Sequence, residues 1–266
     1  MAETQDLLKI ALGASEVAEK IILSHYQQNI HVEWKKDNTP VTIADKASEE
    51  AIRNFFARET PDFGMIGEEF GVENPEAEYQ WIVDPIDGTK SFIHGVPLFG
   101  TLIGLYHQET PLVGIIRLPV LKSCLWASRG DGAFVDGVRV HCSQENELKN
   151  SLVLSGTLNT MEDKGYSESF TKLRHSAKLY RGWGDCYGYY LVATGRAEVM
   201  VDPVVSLWDV AAMPCIFEEA GGSFSTLRGE KALFDSDGRP TASIYEGFTG
   251  VATNGLLHSQ VLSVFE

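Results

Sequence analysis

Through residues 5–27, Leu7, Ile10, Ala11, Ala14, Val17, Ala18, Ile21 and Ile22 recur at helical spacing, which predicts one long amphipathic helix. A polar turn over residues 35–40 then leads into a second helical pattern over 42–58. Ile43, Ala47, Ala51 and Phe55 are expected on its inner face, and Pro61 stands beyond its end. Short apolar runs at 63–66 and 79–83 then predict strands that deliver Glu68 and Asp84 to a common edge. Further runs at 98–106, 111–118, 123–127 and 132–140, separated by turn residues such as Gly130-Asp131-Gly132 and Asp136-Gly137, predict a meander of antiparallel strands. From residue 151 onward, strands (151–154, 178–181, 197–201, 222–226, 248–252) alternate with helices (161–174, 185–194, from 206, after 254). That alternation marks an α/β half. Gly195 should close its helix as a C′ residue, and Pro214 should kink the helix that starts at Ser206.

No linker, low-complexity run or internal repeat interrupts the chain of 266 residues, and 44% hydrophobic content suffices for a sizeable core. The expected organisation is two lobes folding as a unit, an N-terminal α+β lobe over 1–145 and a C-terminal α/β lobe over 146–266. A formal net charge of −15 argues against nucleic acid or an anionic membrane as a partner. No apolar run approaches the roughly 20 residues needed to span a bilayer, and Met1-Ala2-Glu3-Thr4 has no basic leader, so a cytoplasmic protein is expected. Cys124, Cys142, Cys186 and Cys215 form no C-x-x-C pair and are expected as free, buried thiols. The scattered histidines offer no zinc pattern, which favours a hard cation over a borderline one.

The candidate chemistry gathers at Trp81-Ile82-Val83-Asp84-Pro85-Ile86-Asp87-Gly88-Thr89-Lys90. Bulky residues end a buried strand, and Pro85 is expected to stop ladder pairing and turn the chain outward. Two carboxylates, a glycine, a hydroxyl and a lysine follow, a set suited to a divalent ion holding a phosphate. Taken alone, the same residues also make an ordinary Asx turn. Two further acidic motifs sit at the ends of apolar elements: Gly67-Glu68-Glu69, and Leu207-Trp208-Asp209-Val210-Ala211-Ala212. Convergence of all three on one cluster is the more economical account.

These three strings, in this order and spacing from about Asp45 to Asn254, resemble the signature motifs of the inositol monophosphatase family of magnesium-dependent, lithium-sensitive phosphatases. The resemblance implies an α/β (α+β layered) αβαβα sandwich, with an antiparallel-rich N-terminal sheet and a mixed C-terminal one. It implies two or three Mg2+ ions held by Glu68, Asp84, the carbonyl of Ile86, Asp87 and Asp209, with Asp84 bridging. Two such ions about 4 Å apart repel by roughly 17 kcal/mol at an effective dielectric of 20, which four carboxylates offset. It further implies that Glu68 and Thr89 position the attacking water, that Asp45 of a Thr-x-x-Asp pattern polarises Thr89, and that the N–H groups of Gly88 and Thr89 cradle phosphate. From the residues alone, Asp45 reads equally as dipole compensation at a helix start. Lys90 and Glu69 read either as site groups or as solvated charges. A homodimer is the common assembly in the resembled family.

For the substrate, Asp202 occupies the place where inositol phosphatases carry an acidic residue that binds substrate hydroxyls. The segment Gly184-Asp185-Cys186-Tyr187-Gly188-Tyr189 is similar instead to the histidinol-phosphate phosphatase branch. Asp185 and Asp202 could pair with the ammonium and imidazole of histidinol phosphate, although Asp185 could also simply cap its helix. Three readings follow. The leading one is a histidinol-phosphate phosphatase; the others are an inositol-1-phosphate or broad sugar-phosphate phosphatase, and a silent metal- or phosphate-binding regulator.

Overall fold

The computed structural model describes residues 4–28, 32–34 and 40–266; the turn expected over 35–40 lies outside them except for its last residue. The chain opens with helix α1 (Thr4–His25). Strands β1 (Val32–Trp34) and β2 (Pro40–Thr42) pair antiparallel and lead into α2 (Ile43–Glu59). Strands β3 (Gly64–Gly67), β4 (Gly71–Glu73) and β5 (Tyr79–Asp87) follow, then the short α3 (Thr89–Ile93). The meander is β6 (Gly100–His107), β7 (Thr110–Leu118), β8 (Ser123–Ser128), β9 (Gly132–Val135) and β10 (Val138–Val140). These strands form an eight-stranded sheet in the order β10-β9-β8-β7-β6-β5-β3-β4, in which only the β3/β5 pair is parallel.

The later elements are β11 (Leu152–Ser155), α4 (Leu158–Asp163), α5 (Ser167–Ser176), β12 (Leu179–Arg181), α6 (Asp185–Ala193) and β13 (Val199–Val205). After them come α7 (Leu207–Val210), α8 (Met213–Ala220), β14 (Ser223–Ser225), β15 (Phe248–Thr253) and α9 (His258–Leu262). Their sheet is five-stranded and mixed, ordered β12-β11-β13-β15-β14. Helices α1 and α2 cover one face of the large sheet; α6, α7 and α8 fill the space between the two sheets; Met161, Phe170, Leu173 and Val261 pack the far face of the small one. The mixed α/β, layered fold expected from the sequence is therefore present.

Several local expectations need correction. On α2, Ile43 is 60% exposed, Ala47, Ala51 and Phe55 are half-buried, and the inner face is Ala44, Ser48, Ile52 and Phe56 together with the charged Asp45 and Glu49. The partnered carboxylates Asp45 and Glu49 occupy that face, so a count of apolar positions selects the wrong row. Strand β5 does not stop at Pro85; it continues to Asp87, and the register shifts between Asp84 and Asp87. A bulge accommodates the missing N–H, and the Pro85 carbonyl accepts from Thr101 Oγ1 at 2.9 Å. The helix expected over 161–174 is two helices with Gly165 (φ +77°) between them. The helix from Ser206 likewise divides into α7 and α8, and Pro214 sits in the first turn of α8, where no helical N–H is needed.

Gly104 of β6 and Gly114 of β7 are cross-strand partners. A Cβ on either would come within 2.8 Å of the Ala211 carbonyl or 2.3 Å of the Ala212 carbonyl. Their bare backbone lets the α7–α8 junction lie directly on the sheet, and that contact carries Asp209 toward the end of β5.

Candidate metal and phosphate site

Two Asp-Pro dipeptides place carboxylates at irregularities in adjacent sheets. Asp84-Pro85 lies at the bulge of β5, and Asp202-Pro203 lies at the register shift of β13. In each, proline disturbs the ladder where the strand reaches the cleft, so the aspartate stands at the edge. Asp84 is buried, and its Oδ1 accepts from the Ile86 N–H at 2.9 Å, closing a tight turn across Pro85. Asp87 follows at the strand end and Asp209 lies in the first turn of α7. One oxygen each of Asp84, Asp87 and Asp209 lies within 4.8 Å of the other two. Glu68 is not part of this closest triple, although its charge acts on both Asp84 and Asp209.

Each acid in the cluster is also held by the backbone. Asp209 Oδ2 accepts from the Ser206 N–H at 2.7 Å in a capping box. Asp87 Oδ2 accepts a short hydrogen bond from the Cys186 N–H, and the Cys186 thiol points at the Asp87 carbonyl at 3.8 Å. Asp45 does two jobs at once. Its Oδ2 accepts from the Thr42 N–H at 2.8 Å and the Thr42 hydroxyl at 2.6 Å, while Oδ1 faces the Thr89 hydroxyl at 3.3 Å. Thr89 Oγ1 also lies 3.0 Å from the Ile86 carbonyl. Gly88 precedes it with φ +84° as the N-cap of α3.

Burial and mutual repulsion dominate the electrostatics. Burial first, and then the charges of Glu68, Asp87, Asp209 and Asp45, hold Asp84 well above the usual carboxylate range. Asp87 is raised by burial, then by Asp185 and Asp209, against the opposing hydrogen bonds of Cys186. Burial and Glu68 push Asp209 up to about 8 despite the Ser206 N–H. Burial raises Asp45 to about 6 against its Thr42 hydrogen bonds.

The cleft has a volume of about 690 Å³ and reaches from Glu68 and Glu69 past this cluster to Asp185, Tyr189 and Asp202. Lys90 is its single basic residue among the described residues that line it. Asp202 Oδ1 is 3.4 Å from the Gly156 N–H, and burial followed by Asp185 pushes its pKa up to about 7. Asp185 stands at φ +53°, a left-handed conformation uncommon for anything but glycine, asparagine or aspartate. Its cap role is not realised: Gly184 is the N-cap of α6 and no side-chain cap bond forms. The carboxylate instead faces Gly88, where a Cβ would stand 3.2 Å from Asp185 Oδ2. Burial raises Asp185, with Lys90 opposing.

Sequence reasoning missed Glu49, Tyr189 and the Cys186 N–H. Glu49 carried a signal, since it lies one helical turn after Asp45 on the same face, with Arg53 one turn further. His94, just past the end of α3, is exposed and bonds the Lys90 carbonyl at 2.8 Å.

The fold and the site together define a layered α/β protein with an acid-lined, oxygen-donor cleft where two sheets meet. The chain belongs to the inositol monophosphatase family, whose model matches residues 3–263. It is 42% identical to a protein of Chlorobaculum parvum named histidinol-phosphatase, over 93% of this chain and 96% of that one. A Mycobacterium tuberculosis protein of the same name is 37% identical, over 98% of each. Among solved structures, an inositol monophosphatase of Zymomonas mobilis superposes with a TM-score of 0.83 at 29% identity, over 100% of this chain and 99% of that one.

Proposed function

We propose that the chain is a magnesium-dependent hydrolase of phosphoric monoesters whose substrate is L-histidinol phosphate. The observation that carries this reading is the cleft itself, in which three converging carboxylate oxygens stand beside a second acidic pair, Asp185 and Asp202. Similarity to the proteins named histidinol-phosphatase supports the choice of substrate.

The donor set fits magnesium. Every ligand candidate in the cluster is a hard oxygen, and the one nearby thiol, Cys186, is held protonated by burial and by Asp87. Burial, and after it the charge of neighbouring acids, raises Asp84, Asp87 and Asp209, and a divalent cation relieves both. Asp84, Asp87 and Asp209, with Glu68 and the carbonyl of Ile86, would hold it; that carbonyl accepts from Thr89 and keeps a second lone pair. When bound, magnesium supplies positive charge that acidifies water and offsets the phosphoryl oxygens.

The protein's own groups then do the positioning. Glu68 and Thr89 orient the attacking water. With the Asp45 carboxylate or the Ile86 carbonyl accepting the hydrogen bond from the Thr89 hydroxyl, the oxygen lone pairs of Thr89 turn toward that water. The N–H groups of Gly88 and Thr89 face the phosphate. Asp185 and Asp202 meet the ammonium and imidazole of the leaving alcohol, ion pairs that a neutral polyol, which offers only hydroxyls, cannot make.

Turnover of histidinol phosphate should exceed that of inositol 1-phosphate by about two orders of magnitude, from charge-assisted contacts of roughly 1.5–3 kcal/mol each. Asp185→Asn should raise KM for histidinol phosphate while sparing p-nitrophenyl phosphate. Equal use of the two natural esters would move the substrate to polyol phosphates, and release of phosphate from none of the three would leave a silent binding protein.

A further inference from the structure

Helix α2 carries a carboxylate that the chemistry described so far does not use. Glu49 is wholly buried (0% exposed) and reaches across to the turn between β3 and β4. Its Oε2 accepts from the Glu69 N–H at 2.7 Å, and its Oε1 accepts from the Phe70 N–H at 3.1 Å. Arg53, one turn further along α2, donates to Glu49 Oε1 at 2.9 Å, to the Gly71 carbonyl, and to Glu73 at 3.2 Å. One ion pair thus grips consecutive peptide groups on the far side of Glu68. On the near side, the Glu68 N–H donates to the Val83 carbonyl at 3.3 Å, next to Asp84.

Strand β3 is held in the sheet by its parallel pairing with β5, but β4 has only β3 as a ladder partner. Strand β4 is the edge of its sheet, and Phe70 and Val72 are 51% and 47% exposed. A Cβ at Gly67 would stand 2.1 Å from Glu49 Oε1, so only glycine lets the carboxylate in. A buried charge costs stability that a leucine would not. Burial accordingly holds the Glu49 carboxyl above its ordinary range even with Arg53 and two N–H groups against it. What the arrangement gains is position: the peptide plane that carries Glu68 is fixed relative to Asp84.

We infer that Glu49, locked by Arg53, is a positioning residue that sets the reach of Glu68 into the carboxylate cluster and thereby the protein's affinity for divalent cations. This rests on the metal-dependent reading above. It also places Asp45 and Glu49, successive inner-face acids of α2, on the two sides of the site, one behind Thr89 and the other behind Glu68.

The test is calorimetric titration of the full chain with Mg2+ and with Mn2+, alongside kcat, KM for the ester and the metal-free thermal midpoint. Glu49→Gln should weaken cation affinity about tenfold or more, as loss of a partner behind a metal ligand does. At saturating magnesium, KM for the ester should stay within about twofold of the unaltered protein. Glu49→Asp, which keeps the charge but shortens its reach, should fall between the two. If Glu49→Gln does not fold, Arg53→Lys is measured in its place; lysine cannot fork between Glu49 and Gly71, and an affinity loss of about threefold is expected. Unchanged affinity in the folded variants, with normal binding by the unaltered chain, overturns this inference alone. No divalent binding by the unaltered chain overturns the phosphatase reading and this inference with it.

Discussion

Thr89 and Asp45 lie 44 positions apart in sequence, and their side chains meet with Oγ1 3.3 Å from Oδ1. The other oxygen of Asp45 caps α2 through Thr42, so the carboxylate cannot swing away from the hydroxyl without releasing the helix. Thr89→Val should therefore lower kcat about 10²-fold or more, the range of a lost proton-handling group, while the thermal midpoint moves little. Thr89→Ser should keep most of the activity. Asp45→Asn should lose activity and about 1 kcal/mol of stability together, because it also weakens a cap. Initial rates on histidinol phosphate and a denaturant titration separate these effects, and a Thr89→Val enzyme with ordinary kcat would remove Thr89 from the mechanism.

The raised carboxylates make stability without metal depend on pH in a definite direction. Asp45, Asp202 and Asp209, raised to about 6, 7 and 8, bind protons in the folded chain at a pH where the unfolded chain has already lost them. The folded state holds more protons between about pH 4 and pH 8, so metal-free stability falls as pH rises through that window. Magnesium should restore it. At a hundredfold excess over Kd the gain is about 2.7 kcal/mol, a shift of several degrees in Tm. The shift should be larger at pH 8.5 than at pH 5.5, where protons compete for the same oxygens. Thermal scans with magnesium or with chelator at the two pH values check this, and a midpoint indifferent to magnesium at pH 8.5 would contradict it.

What the sequence revealed, and what it hid, follow from the range of the interactions. The acidic motifs around Asp84, Asp87 and Asp209 could be singled out because each sits at the end of an apolar run, a local pattern, and the structure brings their oxygens within 4.8 Å. The meander was legible for the same reason: its strands are short apolar runs separated by turns rich in Gly and Asp. The inner face of α2 was not, since Asp45 and Glu49 are buried against partners some 20 to 44 residues away, and no periodicity encodes that. Pro85 misled because proline commonly ends strands, whereas here a bulge absorbs it. The matching Asp202-Pro203 was the available hint that Asp-Pro marks an irregular strand aimed at the cleft.

His258, far from the carboxylates, should leave its own signature. Its ring sits between the Ser225 hydroxyl at 2.9 Å and the Thr253 hydroxyl at 3.1 Å, and burial followed by Lys231 pushes its pKa down to about 4. An unfolded histidine titrates near 6.5, so the unfolded chain binds the extra proton first as pH falls. The stabilisation is complete above about pH 6.5 and is lost progressively toward pH 4. Wild-type protein should exceed His258→Gln in stability at pH 7.5, and the gap should narrow by pH 5. Denaturant titrations of both proteins, compared at each pH, cancel the contribution of the other groups. A gap that stays constant would show that the imidazole titrates normally in the fold.

Tyr189 and Gly250 are in close steric contact behind the cleft. A Cβ on Gly250 would stand 2.4 Å from the Tyr189 hydroxyl, at the far end of a ring that is itself buried, so ring or strand must shift. That hydroxyl is buried without a well-formed hydrogen bond, although it lies close enough to Asp202 for each group to shift the other's titration. Gly250→Ala should therefore destabilise the protein by about 1–3 kcal/mol through overpacking. Tyr189→Phe should cost little, because it removes a polar atom that lacks a proper partner. Combined, the two should recover most of the stability, since the phenyl ring ends 3.5 Å from the new methyl group. The coupling energy in this double-mutant cycle should be at least about 1 kcal/mol, whereas simple additivity would mean that the strand moves instead. Asp202 is the cross-strand partner of Gly250, so Gly250→Ala should also raise KM for histidinol phosphate, and the second substitution should lower it again as Asp202 returns to its place.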